Sequence, residues 1–218
     1  MKKLFLILVL MLPLFVAAED IILSRDSKPT GISIVSDRIS ERGVSTLTLQ
    51  CHIEKLTAEV VSTEQGDFTL LAIPRFHYSS TIGSPKLPMM NKLIEIPFGA
   101  KLNVRVLSSE EQEYSLADLG IKNPLMPRQP SHPKDGTVVP FEYSRNAYSE
   151  NTYQKEETAT FEEVGMLRHL RLGLLKVAPI AYNPVQGKIK VYNNISIEIS
   201  LPESDLTLTS EIQNRYYS

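Results

Sequence analysis

The sequence predicts an all-β protein, an antiparallel and sandwich-like pair of sheets with a proline-rich connecting loop. Apolar side chains recur at every second residue over several stretches, which is the period of a half-buried strand. Clusters of glycine, proline and asparagine separate these stretches, as expected of turns between antiparallel strands. After residue 18, no stretch shows a long apolar stripe with the 3.6-residue period of a helix.

The first 18 residues have the composition of a signal peptide. Lys2 and Lys3 precede a 15-residue apolar run from Leu4 to Ala18, which is shorter than the roughly 20 residues that span a membrane. The small residues that end this run favour cleavage between Ala18 and Glu19. We therefore expect bacterial-type export and a mature form outside the membrane, either secreted or at the cell surface. A retained membrane anchor is the alternative.

The composition argues against a nucleic-acid partner and against a fold stabilised by an internal disulfide. The formal charge is −2, and loss of Lys2 and Lys3 with a signal peptide would lower it to about −4. Nucleic-acid-binding proteins carry a concentrated basic face, so we expect no nucleic acid partner. Cys51 is the single cysteine of the chain. The fold must therefore be stabilised by core burial without an internal disulfide.

The strands are predicted from alternation at 45–53, 100–108 and 188–201, and each would have one buried face. Residues 178–200 are predicted to form a hairpin whose loop lies at 183–187, and 114–121 could hold one helical turn. The alternating apolar residues are Leu47, Leu49, Cys51 and Ile53; Leu102, Val104 and Val106; and Ile189, Val191, Ile195, Ile197, Ile199 and Leu201. Turn signals lie at 64–67, 82–88, 97–100, 183–188 and 193–194.

The sequence predicts one domain at 19–203, built from two halves. The halves run from about 20 to 122 and from 137 to 202, and the proline-rich loop at 123–136 joins them. Whether they are two small domains or two halves of one sandwich is left open by the pattern. Residues 204–218 form a tail with a possible processing region.

The residues needed for catalysis are not grouped in this sequence. The four histidines (His52, His77, His132 and His169) are too far apart for a metal-ligand pair, so we expect no metal and no cofactor. Cys51 and His52 are adjacent, and neighbouring strand residues face opposite sides. We therefore expect Cys51 to be buried and His52 to be exposed, and we predict that these residues are not an enzyme.

The segment "PLMPRQPSHPK" at 124–134 carries a proline at every third position, which is the period of a polyproline II helix. All four prolines would line one edge of it and leave Arg128 available to a partner. Protease clefts take substrates in extended form. Pro127 and Pro130 flank the Arg128–Gln129 bond and should hinder its cleavage. An ordinary interdomain linker is the alternative.

Three stretches resemble the N-terminal propeptide of gingipain-type C25 cysteine peptidases. Residues 83–106, "GSPKLPMMNKLIEIPFGAKLNVRV", resemble its Gly-x-Pro-x-Leu-Pro block and the strand that follows. "MPRQPSHPKDG" at 126–136 resembles its proline-rich connector. Residues 146–199 resemble its C-terminal block, with an arginine-rich strand, a Pro–x–x–Tyr–Asn–Pro turn and a final hairpin. The turn consists of Pro179, Tyr182, Asn183 and Pro184.

The resemblance implies a β-sandwich-like prodomain that keeps a cysteine peptidase latent and assists its folding before proteolytic removal. The partner would be the cognate peptidase domain, in cis or in trans, and the full-length precursor could itself be a cysteine endopeptidase. An exported, non-catalytic adhesion or carbohydrate-binding module is the alternative, and it would require exposed aromatic clusters.

Together, the proline pattern and the resemblance single out a few basic residues. Arg128 is the first candidate for the specificity pocket of the peptidase, and Lys134 is the second. Arg145 lies nearby and leaves the alignment of the inhibitory loop open. Arg215 resembles a processing position, with a solvated tail residue as the alternative. Arg168 and Arg171 would be structural or would form a partner-facing edge.

Overall fold

A computed structural model describes residues 19–25, 28–39 and 44–217. The predicted signal peptide at 1–18 lies outside the described residues. Within these ranges the chain forms twelve strands and two helices. In chain order they are β1 (Glu19–Ile22), β2 (Gly31–Ile39), β3 (Ser45–His52), β4 (Lys55–Thr63), β5 (Gly66–Ala72), β6 (His77–Tyr78), β7 (Pro88–Glu95), β8 (Asn103–Ser115), α1 (Arg145–Ser149), β9 (Ala159–Leu167), β10 (Leu170–Val177), β11 (Ile180–Asn183), β12 (Lys188–Leu201) and α2 (Leu206–Tyr217).

The strands are arranged in three antiparallel sheets. One contains β1, β4 and β5, and a second has the order β6-β7-β10-β9. The third is built around β12, which pairs with β8 on one side and with β11 and β3 on the other, while β2 extends the sheet beyond β3. The antiparallel all-β class is confirmed, although the strands divide into three hydrogen-bonded sheets and not two.

The core lies where β3 and β12 present the same face. Every second residue of each strand is buried there, as the alternation predicts. The register pairs Ile195 with Cys51, Ile197 with Leu49 and Ile199 with Leu47. Burial of each such aliphatic side chain stabilises the fold by roughly 1.5–3 kcal/mol. The predicted β11–β12 hairpin is also confirmed, with its loop between Asn183 and Lys188.

A bulge in β12 corrects two expectations about neighbouring residues. Residues 193–194 were predicted as a turn between strands, but β12 continues through them with a register shift, and Asn194 has a φ of 47°. The Asn194 Oδ1 atom lies 3.0 Å from His52 Nδ1. His52 is therefore covered and only 3% exposed, contrary to the expectation of an exposed histidine. Cys51 is buried as expected, and this burial raises the pKa of its thiol to about 12.

The two halves predicted from the sequence share sheets. In the third sheet, β12 from the second half pairs with β3 and β8 from the first. In the second sheet, β10 pairs with β7 in the same way. Two of the three sheets therefore combine strands of both halves, and the proline-rich loop connects strands of one packed core.

The C-terminal tail contains a helix that the sequence pattern did not predict. Asp205 precedes α2, and its carboxylate accepts a hydrogen bond from the Leu208 amide at 2.8 Å. The Thr209 hydroxyl accepts from the Phe98 amide at 3.0 Å, and the Tyr216 ring stacks on His169. These contacts hold the helix against the sheets although it lacks a strong apolar stripe. Neither described helix is long and apolar enough to cross a membrane.

Candidate functional site

The first part of the proline-rich segment is fixed to the edge of β5. The Thr69 amide donates to the Pro124 carbonyl at 2.8 Å, and the Met126 amide donates to the Thr69 carbonyl at 2.8 Å. Leu125 between them is fully buried. This part of the segment is therefore a short extension of a sheet, which fixes where the following loop begins.

The next residues are fixed on the other side by the segment at 83–86. The Arg128 amide donates to the Ser84 carbonyl and its carbonyl accepts from the Gly83 amide, both at 2.8 Å. Pro127 is buried, Pro130 is partly buried and Pro133 is exposed. The exposure of the prolines thus changes along the segment, so they do not form one uniform edge.

The Arg128 side chain lies partly within the body of the protein. Its Nε atom is enclosed and has no hydrogen-bond partner among the described residues. Lys86 lies close by, and its pKa is lowered by burial and secondly by the positive charge of Arg128. Arg128 is thus half-buried and its backbone is hydrogen-bonded, so it does not project as a free side chain. Its predicted place in a specificity pocket stays a prediction.

Residues 130–141 leave the fold as a loop whose two ends are held together. Gln129 Nε2 donates to the Glu142 carbonyl at 2.8 Å, and the Glu142 amide donates to Gln129 Oε1 at 3.0 Å. We call this pair of contacts the Gln129–Glu142 clamp. Because both contacts are made to the backbone of Glu142, the clamp joins the two loop ends without involving the side chain at position 142.

An aromatic cluster supports the returning end of the loop. The Phe141 ring lies 5.6 Å from that of Phe68 on β5, and Tyr143 stacks on Tyr148 at 4.4 Å. The Tyr148 hydroxyl donates to the Leu125 carbonyl at 2.6 Å, which links α1 to the outgoing segment. The exposed Arg145 begins α1 beside this cluster.

The tip of the loop presents Lys134 to solvent. Residues 131–138 are all exposed, and Val138 is 89% exposed. Beside Lys134, the Asp135 carboxylate accepts hydrogen bonds from the Thr137 hydroxyl at 2.7 Å and from its amide at 3.0 Å. These bonds hold the pKa of Asp135 below its ordinary value. The tip is therefore a defined turn that carries an accessible ammonium group.

Neither of the two features that shape this loop was predicted from the sequence. The Asp135–Thr137 turn has a local signal, because Asp-Gly is a strong turn dipeptide and Gly136 has a φ of 80°. The Gln129–Glu142 clamp has no comparable signal, since glutamine is common at surfaces and its partner lies 13 residues away.

The other arginines considered from the sequence lie away from this loop. Arg171 makes two hydrogen bonds to Glu163, at 2.8 and 2.7 Å, and also donates to the carbonyls of Pro97 and Ala100. It is therefore structural. Arg168 occupies the β9–β10 turn with a φ of 58°, and Arg215 is exposed in the last turn of α2. The described residues include no group of three or more potential metal ligands.

Comparison with known protein sequences gives the same propeptide family that the three stretches of the sequence resemble. The Propeptide_C25 family model matches residues 25–215. Lys-gingipain of Porphyromonas gingivalis is 38% identical over 160 residues, which cover 72% of this chain and 9% of that protein. Gingipain R1 of the same species is 24% identical over 159 residues, covering 72% of this chain and 15% of that protein. This chain thus corresponds to a small part of the curated relatives it matches.

Solved structures agree with this assignment. A structure concerning zymogenic latency of gingipain K from P. gingivalis aligns with a TM-score of 0.76 and 32% identity, covering 86% of this chain and 100% of that chain. A complex of the pro- and mature domains of P. gingivalis RgpB aligns with a TM-score of 0.64 at 19% identity, covering 87% of this chain and 96% of that chain, and shows likeness of fold. The adhesion alternative finds no support in these matches. By sequence and by fold, this chain belongs to the family of C25 peptidase propeptides, and it is non-catalytic.

Proposed function

We propose that this chain keeps a gingipain-type cysteine peptidase latent by placing the tip of its proline-rich loop in the active-site cleft, and that it assists folding of that peptidase. Membership of the propeptide family and the likeness to a structure concerned with zymogenic latency support the proposal. The observation that carries it is the position of Lys134. This basic side chain lies at an exposed tip, and the ends of its loop are clamped together.

Lys134 fits this role better than Arg128, reversing the order expected from the sequence. Docking into a deep pocket requires a side chain that can leave the surface of its own protein without breaking other contacts. Arg128 is partly enclosed and hydrogen-bonded through its backbone to the segment at 83–84, whereas Lys134 is exposed. The higher identity to Lys-gingipain, 38% against 24% for gingipain R1, supports a partner that accepts lysine.

The clamp gives the loop its affinity in this proposal. A flexible loop loses conformational entropy when it is ordered by a partner, and a preorganised loop avoids most of that cost. The Gln129–Glu142 clamp and the aromatic cluster order the two ends before any partner arrives. The loop therefore meets the cleft in a nearly fixed shape.

Inhibition of mature Lys-gingipain of P. gingivalis by purified residues 19–218 tests the proposal. Lys134→Ala should raise the inhibition constant about 30-fold, the effect of losing a hot spot worth about 2 kcal/mol. Lys122→Ala, which removes another exposed lysine, is the matched control and should leave the constant unchanged. The parallel variant Arg128→Ala should change it less than about threefold, since the half-buried Arg128 side chain does not enter the specificity pocket in this proposal.

Two outcomes would contradict this assignment. A large effect of Arg128→Ala with none of Lys134→Ala would return the role to Arg128. Failure of the unaltered propeptide to inhibit either Lys-gingipain or gingipain R1 would count against latency as its function. Refolding yield of the denatured peptidase, measured with and without the propeptide, tests the folding role separately.

Export and processing form a further part of the proposal. Residues 1–18 would direct export to the cell surface or medium, with cleavage between Ala18 and Glu19. Glu19 pairs with Ala58 at the start of β1, so this cut would leave the first strand complete. Arg215 is an exposed residue at which a basic-specific peptidase could release the propeptide. Mass spectrometry of the exported protein tests both termini. A mature start that retains the apolar run would contradict cleavage between Ala18 and Glu19.

A further inference from the structure

We propose that the turn formed by Asp135, Gly136 and Thr137 protects the Lys134–Asp135 peptide bond, so that the loop inhibits the peptidase without being consumed. This inference rests on the proposed docking of Lys134. A loop that offers a basic residue to a basic-specific peptidase is otherwise a substrate, and a separate feature must prevent its cleavage.

The turn begins at the residue where cleavage would occur. Peptidases bind extended substrates through strand-like backbone hydrogen bonds. Asp135 follows Lys134 directly, and its carboxylate already accepts the Thr137 amide and hydroxyl. Gly136 has a φ of 80°, a left-handed conformation that reverses the chain. The residues after Lys134 therefore turn away where a substrate would continue along the cleft, and the Thr137 amide is not offered to the enzyme.

The chemistry of cleavage shows how the turn and the clamp act together. Attack by the peptidase thiol on the Lys134 carbonyl carbon would form a thioester and break the Lys134–Asp135 bond. The Asp135 amine would leave with the thiol proton, and water would then have to hydrolyse the thioester to a free carboxylate. Because the Gln129–Glu142 clamp holds both loop ends, the amine would stay beside the thioester and could attack it again. Tethered groups react at high effective concentration, so the intact bond is favoured.

The side chains involved make the inference testable without disturbing the core. Asp135 and Thr137 are exposed, and their hydrogen bonds are local. Asp135→Ala removes the acceptor of both bonds. Thr137→Ser keeps the amide and a hydroxyl and is the conservative control. Neither change alters the Lys134 side chain that is proposed to dock.

The experiment incubates each purified propeptide with mature Lys-gingipain and follows the fragment that ends at Lys134 by mass spectrometry. Asp135→Ala should be cleaved at this bond about 30-fold faster than the unaltered chain, the factor expected when two hydrogen bonds of about 1 kcal/mol each are lost. Thr137→Ser should match the unaltered chain. Each propeptide is compared at a concentration that saturates the peptidase, so a change in affinity does not enter the measured cleavage rate.

The outcomes separate this inference from the proposed function. Equal cleavage rates for Asp135→Ala and the unaltered chain, with Lys134→Ala still weakening inhibition, would overturn the protective turn alone. If Lys134→Ala leaves the initial inhibition constant unchanged, docking of Lys134 fails and the inference fails with it. Faster cleavage of Asp135→Ala confined to other basic residues would also count against the turn, because the protection is specific to one bond.

Discussion

Replacement of Gln129 by alanine should open the inhibitory loop without unfolding the protein. The substitution removes both contacts of the clamp, at 2.8 and 3.0 Å to the backbone of Glu142. A hydrogen bond contributes a net value of about 1 kcal/mol, so the two together stabilise the closed loop by about 2 kcal/mol. This free energy corresponds to a roughly 30-fold increase in the open population.

Amide hydrogen exchange measures this opening at one position. The Glu142 amide donates to Gln129 Oε1, so its exchange rate reports directly on the clamp. We expect this rate to rise by about 30-fold in Gln129→Ala. Amides of β12, which lies in the core, should keep their rates. Ser131→Ala alters an exposed residue of the same loop and is the matched control.

Inhibition provides a second readout of the same change. If preorganisation supplies affinity, the inhibition constant should weaken by up to the same factor, since the opened loop must be ordered on binding. Unchanged exchange at Glu142 would refute the clamp as the element that closes the loop. Faster exchange with unchanged inhibition would refute the link between closure and affinity.

Two further predictions concern the scaffold. Gly173→Ala would place a Cβ 2.4 Å from Phe161 Cζ. Thermal unfolding should therefore show the free energy of unfolding lowered by about 1–3 kcal/mol. An equal lowering in the Phe161→Leu background would contradict this steric cause. Hydrogen bonds from Arg171 lower the pKa of Glu163, so the stability they add is present above the ordinary glutamate pKa and fades as pH falls through the lowered value. Urea unfolding should therefore show Glu163→Gln less stable than the unaltered protein at neutral pH, with a difference that shrinks as the pH falls below the ordinary glutamate pKa. A difference that stays constant as the pH falls would rule out this ionisation.

The alternation of apolar and polar residues predicted the core strands well, because burial of one strand face alone determines that alternation. Leu49 and Ile197 are fully buried at the centre of the third sheet, where side chains face the core at every second position. The same rule cannot identify a bulge, because an Asn-Asn pair suits both a turn and a bulge inside a strand. His52 was expected to be exposed because it follows the buried Cys51 on a strand, but the side-chain amide of Asn194, 142 residues away, covers it.

The C-terminal helix was missed for a related reason. Helices of globular proteins are recognised by an apolar stripe, but α2 is stabilised by contacts at its ends. Thr209 accepts a hydrogen bond from Phe98, more than a hundred residues earlier, and Tyr216 stacks on His169. Such contacts depend on the assembled sheets, so they leave no periodic signal in the local sequence.

The choice between Arg128 and Lys134 shows the same limit at the candidate site. Both are basic residues beside prolines, six positions apart, and the proline period treats them alike. What separates them is their surroundings: the backbone at 128 is hydrogen-bonded to the segment at 83–84, while Lys134 lies in the exposed loop tip, where Asp135 and Thr137 bond to each other. Arg128, whose backbone is paired, therefore fixes the base of the loop. Lys134 lies between the clamped ends and is exposed, so it can enter a cleft. The proline-rich sequence therefore specifies that a loop exists, and distant partners in the fold decide which of its cations can reach a peptidase.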